Sequence, residues 1–286
     1  MSVIDWGPVE GDRRVTDLLA LARRHGVERL DAQLLLSRRL GVSRTWLIAH
    51  DEAVVPTLVA QACTADLAAR ASGQPIAYLV GEREFHGLML HVTPAVLVPR
   101  PDTEVLVDWA IECLQGPLAG LPAPRVVDLG TGSGAIALAV AQACPQARVC
   151  GVDLSAAAIE VARANGCRLG LTVEWLHGDW FTPLAGRRFD LVLSNPPYID
   201  GGDPHLQALH AEPIEALSPG PDGLAALAQI AACAPAHLAT HGWLLLEHGH
   251  RQGDAVRRLL RDAGGWDPST RLDLAGHARC TGARWD

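Results

Sequence analysis

"RVVDLGTGSGAIALAV", residues 125–140, joins a short apolar run to a glycine-rich segment and then to a second, longer apolar run. The first run is typical of a buried strand and the second of a helix. Gly130, Gly132 and Gly134 lie between them and let the backbone turn tightly near a ligand, because no Cβ is in the way. Their G-x-G-x-G spacing differs from the dinucleotide-binding G-x-G-x-x-G pattern. The stretch therefore predicts a strand, a ligand-binding glycine loop and a helix.

Strand and helix patterns continue to alternate from this stretch to residue 286. The later predicted strands are RVCGVD (148–153), TVEWLHGD (172–179), FDLVLSNPPY (189–198) and WLLLEHG (243–249). The predicted helices include SAAAIEVARANG (155–166), DGLAALAQIAACAPAHLATHG (222–242) and QGDAVRRLLRDAGG (252–265). RLDLAGHARCTGARWD (271–286) predicts a closing pair of strands. Such alternation indicates an α/β fold with a doubly wound, mostly parallel sheet.

The chain before this region has a different pattern, which predicts three parts for the whole molecule. Residues 1–75 contain only helical stretches and are expected to form a small all-α bundle that packs or docks a partner. Residues 76–104 are expected to be a linker with a short hairpin, REFHGLMLHV (83–92), and a stiff loop, PRPDTE (99–104). Residues 105–286 are expected to form the α/β domain.

The composition disfavours several classes of protein. The net charge is −8, and all 24 cationic residues are arginine. Proteins that work mainly by gripping nucleic acid are usually basic, so no stable nucleic-acid partner is expected. Seven dispersed cysteines without a C-x-x-C pair indicate reduced thiols and a cytoplasmic location. The first 14 residues do not resemble a signal peptide. Residues 223–246 lack charged side chains, but Pro235 and Gly242 interrupt them, so no membrane span is expected.

Asp153 is the acid that ends the second strand of the α/β region. At this place in a doubly wound sheet, a carboxylate can accept hydrogen bonds from both hydroxyls of a ribose. The alternative is that Asp153 caps the helix that follows it.

Four motifs in this order resemble the class I S-adenosylmethionine-dependent methyltransferases: D-x-G-x-G-x-G, the acid ending strand two, GDW (178–180) and NPPY (195–198). The resemblance implies a seven-stranded sheet with S-adenosylmethionine as cofactor. It implies that the glycine loop holds the methionine part, that Asp153 holds the ribose, and that Asp179 and Trp180 lie by the adenine. The implied cofactor-binding residues are Asp128, Gly130, Thr131, Gly132, Ser133, Gly134, Asp153, Asp179, Trp180 and Asn195.

Asn195, Pro196, Pro197 and Tyr198 follow a buried strand that the prolines cannot continue, because they lack N–H groups. An NH2 group conjugated with a carbonyl or a ring is a poor nucleophile. Hydrogen-bond acceptors on both N–H groups, the Asn195 side-chain oxygen and the Pro196 carbonyl, would hold it against a methyl donor. Tyr198, expected to present an exposed phenol, would pack on the planar group. Asn195, Pro196 and Tyr198 are therefore predicted to be catalytic, and all four residues to bind substrate. The motif alone leaves adenine, cytosine and glutamine open.

A longer set of motifs, from YLVGEREFHG through PRPDTE and SNPPYID to LLLEHG, resembles the protein-(glutamine-N5) methyltransferases of peptide chain release factors. The resemblance implies that the substrate is the glutamine of a release factor's Gly-Gly-Gln motif. It also implies that Arg100 and Glu104 lie near the substrate, although a packing or loop-clamp role suits both equally. A ribosomal-protein glutamine, DNA adenine and an inactive cofactor-binding protein are the alternatives.

ALHAEP, EHGH and Glu247 are three further features of the sequence. ALHAEP (208–213) is shorter than the corresponding segment of the family, which leaves its substrate contacts open. EHGH (247–250) lacks ligand spacing, so no metal is expected. Glu247 is interpreted as no more than the end of a strand.

Overall fold

The computed structural model describes residue 6 and residues 11–286. The chain divides into two compact units between Gly81 and Glu82. Residues 1–5 and 7–10, which belong to the predicted first domain and to the stretch compared with signal peptides, lie outside the described residues. The predicted limits at 75 and 104 stay predictions.

The first unit is a helical bundle. Its helices are α1 (Val15–Arg24), α2 (Arg29–Leu40), α3 (Arg44–Ala49), α4 (Thr57–Ala71) and α5 (Ile76–Val80). Leu18 of α1, Leu35 of α2 and Leu67 of α4 are fully or almost fully buried in one apolar cluster, so a common core joins these helices. The prediction of helices alone was wrong in one detail. Strands β1 (Arg13–Arg14) and β2 (Val54–Val55) pair antiparallel, and two-residue strands are too short to leave a periodic pattern.

The second unit begins with the predicted hairpin. Strands β3 (Glu82–Phe85) and β4 (Leu88–His91) pair antiparallel around a turn at His86 and Gly87, which confirms the hairpin. A single 3₁₀ turn over Pro101–Thr103 then leads directly into helix α6 (Glu104–Gln115).

A seven-stranded sheet forms the centre of this unit. Its strands are β5 (Arg125–Leu129), β6 (Arg148–Asp153), β7 (Glu174–His177), β8 (Phe189–Ser194), β9 (Leu238–Glu247), β10 (Trp266–Leu272) and β11 (Ala278–Arg284). Their order is β10-β11-β9-β8-β5-β6-β7. The pairs from β9 to β7 are parallel, whereas β11 runs antiparallel to both neighbours. The predicted sheet and its closing pair of strands are confirmed.

Helices cover both faces of the sheet. They are α6, α7 (Ala135–Ala143), α8 (Ala156–Leu169), α10 (Ala225–His237) and α11 (Gly253–Asp262). The four-residue helix α9 (His205–Ala208), which has no buried residue, lies between β8 and α10 along the chain. Along β8, Leu191 and Leu193 join the apolar cluster that contains α6 and α7, while Val192 joins the cluster that contains α10 and α11. Because successive side chains of a strand point to opposite faces, a continuous apolar strand is required here.

The topology brings three strand ends together. Leu129 at the end of β5 pairs with Val152 of β6 on one side and with Ser194 of β8 on the other. In parallel sheets, ligands bind beyond such carboxyl ends.

The stretch 223–246 separates into α10 and β9. Among the helices of residues 11–286, none has the length and apolar character needed to cross a membrane.

Candidate active site

The glycine loop turns back immediately after β5. The Gly130 and Thr131 N–H groups donate to the Val152 carbonyl at 2.8 and 2.9 Å, which ties the loop to β6. Gly132 has φ +55°, and a Cβ placed on it would meet no atom within 4 Å. Backbone therefore faces open space at this position, and only glycine adopts the conformation without strain.

Asp153 fixes this loop from the end of β6. Its Oδ2 accepts the Gly132 N–H at 2.8 Å and its Oδ1 accepts the Ser155 N–H at 2.9 Å. Burial raises the pKa of Asp153, and these two N–H donors oppose the shift. The cap of α8 is Ser155, whose hydroxyl accepts the Ala158 N–H at 3.2 Å. Ser155, and not Asp153, therefore caps the helix. The Asp153 carboxylate retains lone pairs for a ligand.

Four of the residues predicted to bind the cofactor, at the end of β5 and within the loop, make contacts inside the protein. Asp128 is fully buried and accepts the Thr131 hydroxyl at 2.6 Å, and burial raises the pKa of Asp128 to about 7. The Ser133 carbonyl accepts the Asn165 side-chain amide at 2.9 Å. Gly134 precedes α7 in a left-handed conformation, and a Cβ there would come within 2.8 Å of Trp175. These contacts shape the loop, and direct cofactor binding by the four residues stays a prediction.

A cavity of about 510 Å³ opens in front of the loop. Its wall includes the other six predicted cofactor residues: Gly130, Gly132, Asp153, Asp179, Trp180 and Asn195. Trp180 adopts φ +42°, and its indole packs over Gly130. Sequence reasoning missed Leu97 and Glu215, which also line the cavity, because nothing in their local patterns marks them.

The NPPY segment (residues 195–198) begins where β8 ends. The Asn195 side-chain Nδ2 donates to Thr103 Oγ1 at 3.1 Å, which leaves Asn195 Oδ1 as an acceptor. Asn195 and Pro197 line the cavity, whereas Pro196 is buried. The segment therefore presents a fixed amide next to the glycine loop.

Tyr198 differs from the expected exposed phenol. It is half-buried, and its hydroxyl donates to Glu247 Oε1 at 3.3 Å. Burial raises the pKa of the Tyr198 phenol well above its ordinary value. The Gln252 side-chain amide donates to the Tyr198 carbonyl at 3.1 Å and holds the end of the segment. The expectation of an exposed phenol was wrong. The sequence shows Tyr198 only as a residue after a strand, whereas in the structure it contacts Glu247 of β9 and Gln252 at the start of α11.

Glu247 was underrated in the sequence. It is 1% exposed at the end of β9, and burial raises its pKa to about 7. The Thr103 hydroxyl, Arg279 and the Tyr198 hydroxyl oppose this shift. The sequence did contain a signal of its burial, because Glu247 directly follows three leucines. A carboxylate that continues a buried apolar run must be hydrogen-bonded or paired.

Arg100 and Glu104 act as clamps in the structure. Arg100 pairs with the buried Glu212, which also accepts the Val98 N–H at 3.1 Å. Glu104 accepts the His86 N–H of the hairpin turn at 3.1 Å. Neither side chain lines the cavity described above. Substrate binding by Arg100 and Glu104 stays a prediction. The contacts with Glu212 and His86 support the alternative, in which the two side chains clamp loops.

The metal alternative has no support in residues 11–286. No group of three or more His, Cys, Asp or Glu side chains within them is arranged to hold a metal ion, and this includes EHGH. The seven cysteines, all within the described part, are free thiols.

Comparison with family models assigns both units of the chain. Residues 13–81 match the "PrmC N-terminal domain", and residues 105–220 match the "Methyltransferase small domain". A protein of Bordetella pertussis named release factor glutamine methyltransferase is 50% identical over 260 residues, which cover 90% of this chain and 95% of the relative. The protein of the same name from Escherichia coli K12 is 42% identical over 262 residues, covering 90% and 92%.

Solved structures share the fold at lower identity. The catalytic domain of hMettl16, in complex with MAT2A 3′UTR hairpin 1, aligns with a TM-score of 0.58 and 14% identity, covering 77% of this chain and 81% of that one. The 16S rRNA N2 G1207 methyltransferase of T. thermophilus, in complex with AdoMet and guanosine, has a TM-score of 0.51 and 22% identity, covering 72% and 50%. At these identities the likeness concerns the fold alone.

Proposed function

The chain belongs to the release factor glutamine methyltransferases, and we propose that it methylates N5, the side-chain amide nitrogen, of the glutamine in the Gly-Gly-Gln motif of a peptide chain release factor. It is an S-adenosylmethionine-dependent protein glutamine methyltransferase, as its identity of 42–50% to curated relatives over 90% of the chain establishes.

The cavity fits S-adenosylmethionine. Its volume of about 510 Å³ lies within the range of small-molecule sites. In the proposed mode, the open backbone at Gly132 receives the methionine part and the Asp153 carboxylate accepts the ribose hydroxyls. Trp180 offers a flat apolar wall and Asp179 a polar edge for the adenine. When bound, the cofactor supplies an electrophilic methyl group on a sulfonium.

The observation that carries the proposal is the anchored amide of Asn195. Its Nδ2 is held by Thr103 at 3.1 Å at the cavity wall, so the acceptor Oδ1 is the end left for a substrate N–H. In the proposed complex the Pro196 carbonyl accepts the second N–H, and the two consecutive proline rings keep it in place. Two acceptors on one amide NH2 orient its nitrogen lone pair toward the methyl group.

Positioning accounts for most of the proposed catalysis. Bound S-adenosylmethionine would supply the methyl group, and Asn195 and Pro196 would hold the amide nitrogen in line with it. The amide proton would be lost to water only after transfer, so the residues need not include a strong base. Asn195 Oδ1 and the Pro196 carbonyl also stabilise the positive charge that develops on the nitrogen.

The choice of a protein partner over nucleic acid rests on charge. A net charge of −8 disfavours stable contact with a phosphate backbone. In the proposal, residues 1–75 dock the release factor. Seven free cysteines, all within residues 11–286, support a cytoplasmic location.

A substrate panel tests the proposal. The chain is incubated with methyl-labelled S-adenosylmethionine and, separately, with a release factor, its Gln→Ala loop variant, ribosomal proteins and duplex DNA. Label on the release factor alone, lost in the loop variant, is the expected result. Label that survives the Gln→Ala change refutes the proposed acceptor, and label on DNA or a ribosomal protein redirects the substrate assignment.

A further inference from the structure

A buried carboxylate lies behind the NPPY segment without a place in the mechanism above. Glu247 Oε1 accepts the Tyr198 hydroxyl at 3.3 Å, while the buried Oε2 has no hydrogen-bond partner within the described part of the chain. Burying a carboxylate is costly unless donors satisfy it. Its position at the end of β9, beside the site, therefore calls for a physical reason.

Thr103 connects this carboxylate to the site. Thr103 is 4% exposed and directly precedes α6, where a threonine side chain usually accepts a helix N–H. Its hydroxyl makes no such cap bond, and instead accepts the Asn195 Nδ2–H at 3.1 Å. A hydroxyl has one hydrogen to donate. Hydrogen bonding from the Thr103 hydroxyl lowers the pKa of Glu247 against the effect of burial, so the hydroxyl lies close to the carboxylate.

We propose that Glu247 and Thr103 are positioning residues that determine which way round the Asn195 amide lies. The carboxylate draws the hydrogen of the Thr103 hydroxyl, so the hydroxyl offers its lone pair to Asn195 Nδ2. Asn195 Oδ1 then remains directed to the substrate. The inference rests on the proposed function, in which Oδ1 must be an acceptor.

The alternative orientation shows why such a device matters. The two ends of an amide have nearly the same shape, so packing alone discriminates poorly between them. A reversed Asn195 would place its NH2 against the substrate NH2, donor against donor. The buried charge of Glu247 would polarise the hydrogen bonds that run through the Thr103 hydroxyl to the Asn195 amide. This polarisation favours the orientation in which Asn195 Nδ2 is the donor to Thr103.

The charge state of Glu247 links this device to pH. The groups that influence it are Tyr198, Arg279, Asp102 and Cys280. Arg279 is shared, since it also pairs with Asp102 at 3.0 Å and with Asp273 at 3.1 Å. Burial dominates and raises the pKa of Glu247 to about 7. Protonated Glu247 would no longer act as an acceptor for both hydroxyls, so acid conditions should release the Thr103 hydroxyl.

Isosteric variants test the inference in the full-length enzyme with a release factor as substrate. Thr103→Val and Glu247→Gln should lower kcat by about tenfold or more, because about 1.4 kcal/mol corresponds to one such hydrogen bond. Their affinity for S-adenosylmethionine should stay within about threefold of wild type. Thr103→Ser should recover activity. In wild type, kcat should fall as the pH drops below about 7, and this fall should be absent in Glu247→Gln.

Thr281→Val is the matched control, because Thr281 is fully buried on β11 and its hydroxyl faces His248 at 2.7 Å. It should retain wild-type kcat. The inference is overturned if Thr103→Val keeps wild-type kcat, if Thr103→Ser is as impaired as Thr103→Val, or if the control loses as much.

A second readout does not depend on the substrate. The side-chain NH2 resonances of Asn195, assigned by their loss in Asn195→Ala, should shift in Thr103→Val and Glu247→Gln but stay in place in Thr281→Val. Unmoved resonances overturn the positioning role whatever the enzyme methylates. Shifted resonances in an enzyme that leaves release factors unmethylated support the positioning role and refute the proposed function.

Discussion

Asp153→Ala should weaken S-adenosylmethionine binding far more than it weakens the fold. The carboxylate already accepts the N–H groups of Gly132 and Ser155 at 2.8 and 2.9 Å, and it retains lone pairs for two ribose hydroxyls. Each hydrogen bond to a charged acceptor contributes about 1.5–3 kcal/mol. Losing two of them should raise Kd by about 100-fold or more. The two freed N–H groups lie near solvent, so unfolding free energy should fall by only about 1 kcal/mol.

Isothermal titration calorimetry with S-adenosylmethionine measures this effect, and urea unfolding measures the stability. Asp190→Ala is the matched control. Asp190 also accepts a backbone N–H, that of Arg125, at 2.7 Å, but it lies on β8 away from the cavity wall. It should lose stability and keep Kd within about threefold. A Kd for Asp153→Ala within the same limit would refute the assignment of the ribose to this carboxylate.

Three other perturbations follow from the same contacts. Asn195→Ala should abolish methyl transfer, while Kd for the cofactor, measured by calorimetry, should rise by less than about threefold. A much larger loss of cofactor affinity would show that Asn195 acts mainly in cofactor binding. Glu212→Ala leaves the Val98 N–H and Arg100 without their partner, so urea unfolding should show a loss of about 1–3 kcal/mol, and an unchanged midpoint contradicts the clamp. The folded-state pKa of Glu247, about 7, lies above its ordinary 4.5, so ionisation destabilises the fold as pH rises through about 7. Glu247→Gln should therefore gain stability relative to wild type between about pH 5 and pH 8, by at most about 3 kcal/mol, and a difference that is flat with pH contradicts this.

The sheet could be predicted because each strand carries its own signal. Leu191, Val192 and Leu193 form a continuous apolar run, and helices on both faces of a parallel sheet require that pattern. The small β1–β2 pair could not be predicted, since two-residue strands have no period to detect. The division between Gly81 and Glu82 likewise depends on packing that no local pattern expresses.

The meeting of three candidate residues at one cavity could be predicted from chain order. Gly132 and Asn195 follow strands and Asp153 ends one, and the sheet brings these strand ends together. Thr103 and Glu247 were not predictable, because their importance comes from contacts across 92 and 49 positions of the chain. The Tyr198 phenol was misjudged for the same reason, since its partner Glu247 lies on another strand.

The central claim is that the methyl group is transferred to a side-chain amide nitrogen of glutamine. The most direct measurement uses release factor labelled by this enzyme with methyl-labelled S-adenosylmethionine, followed by complete acid hydrolysis. An N-methylated glutamine side chain yields glutamate and labelled methylamine, and the Gln→Ala variant of the Gly-Gly-Gln motif yields none. Labelled methanol, which a methyl ester would release, or methylamine from the Gln→Ala variant would contradict the account.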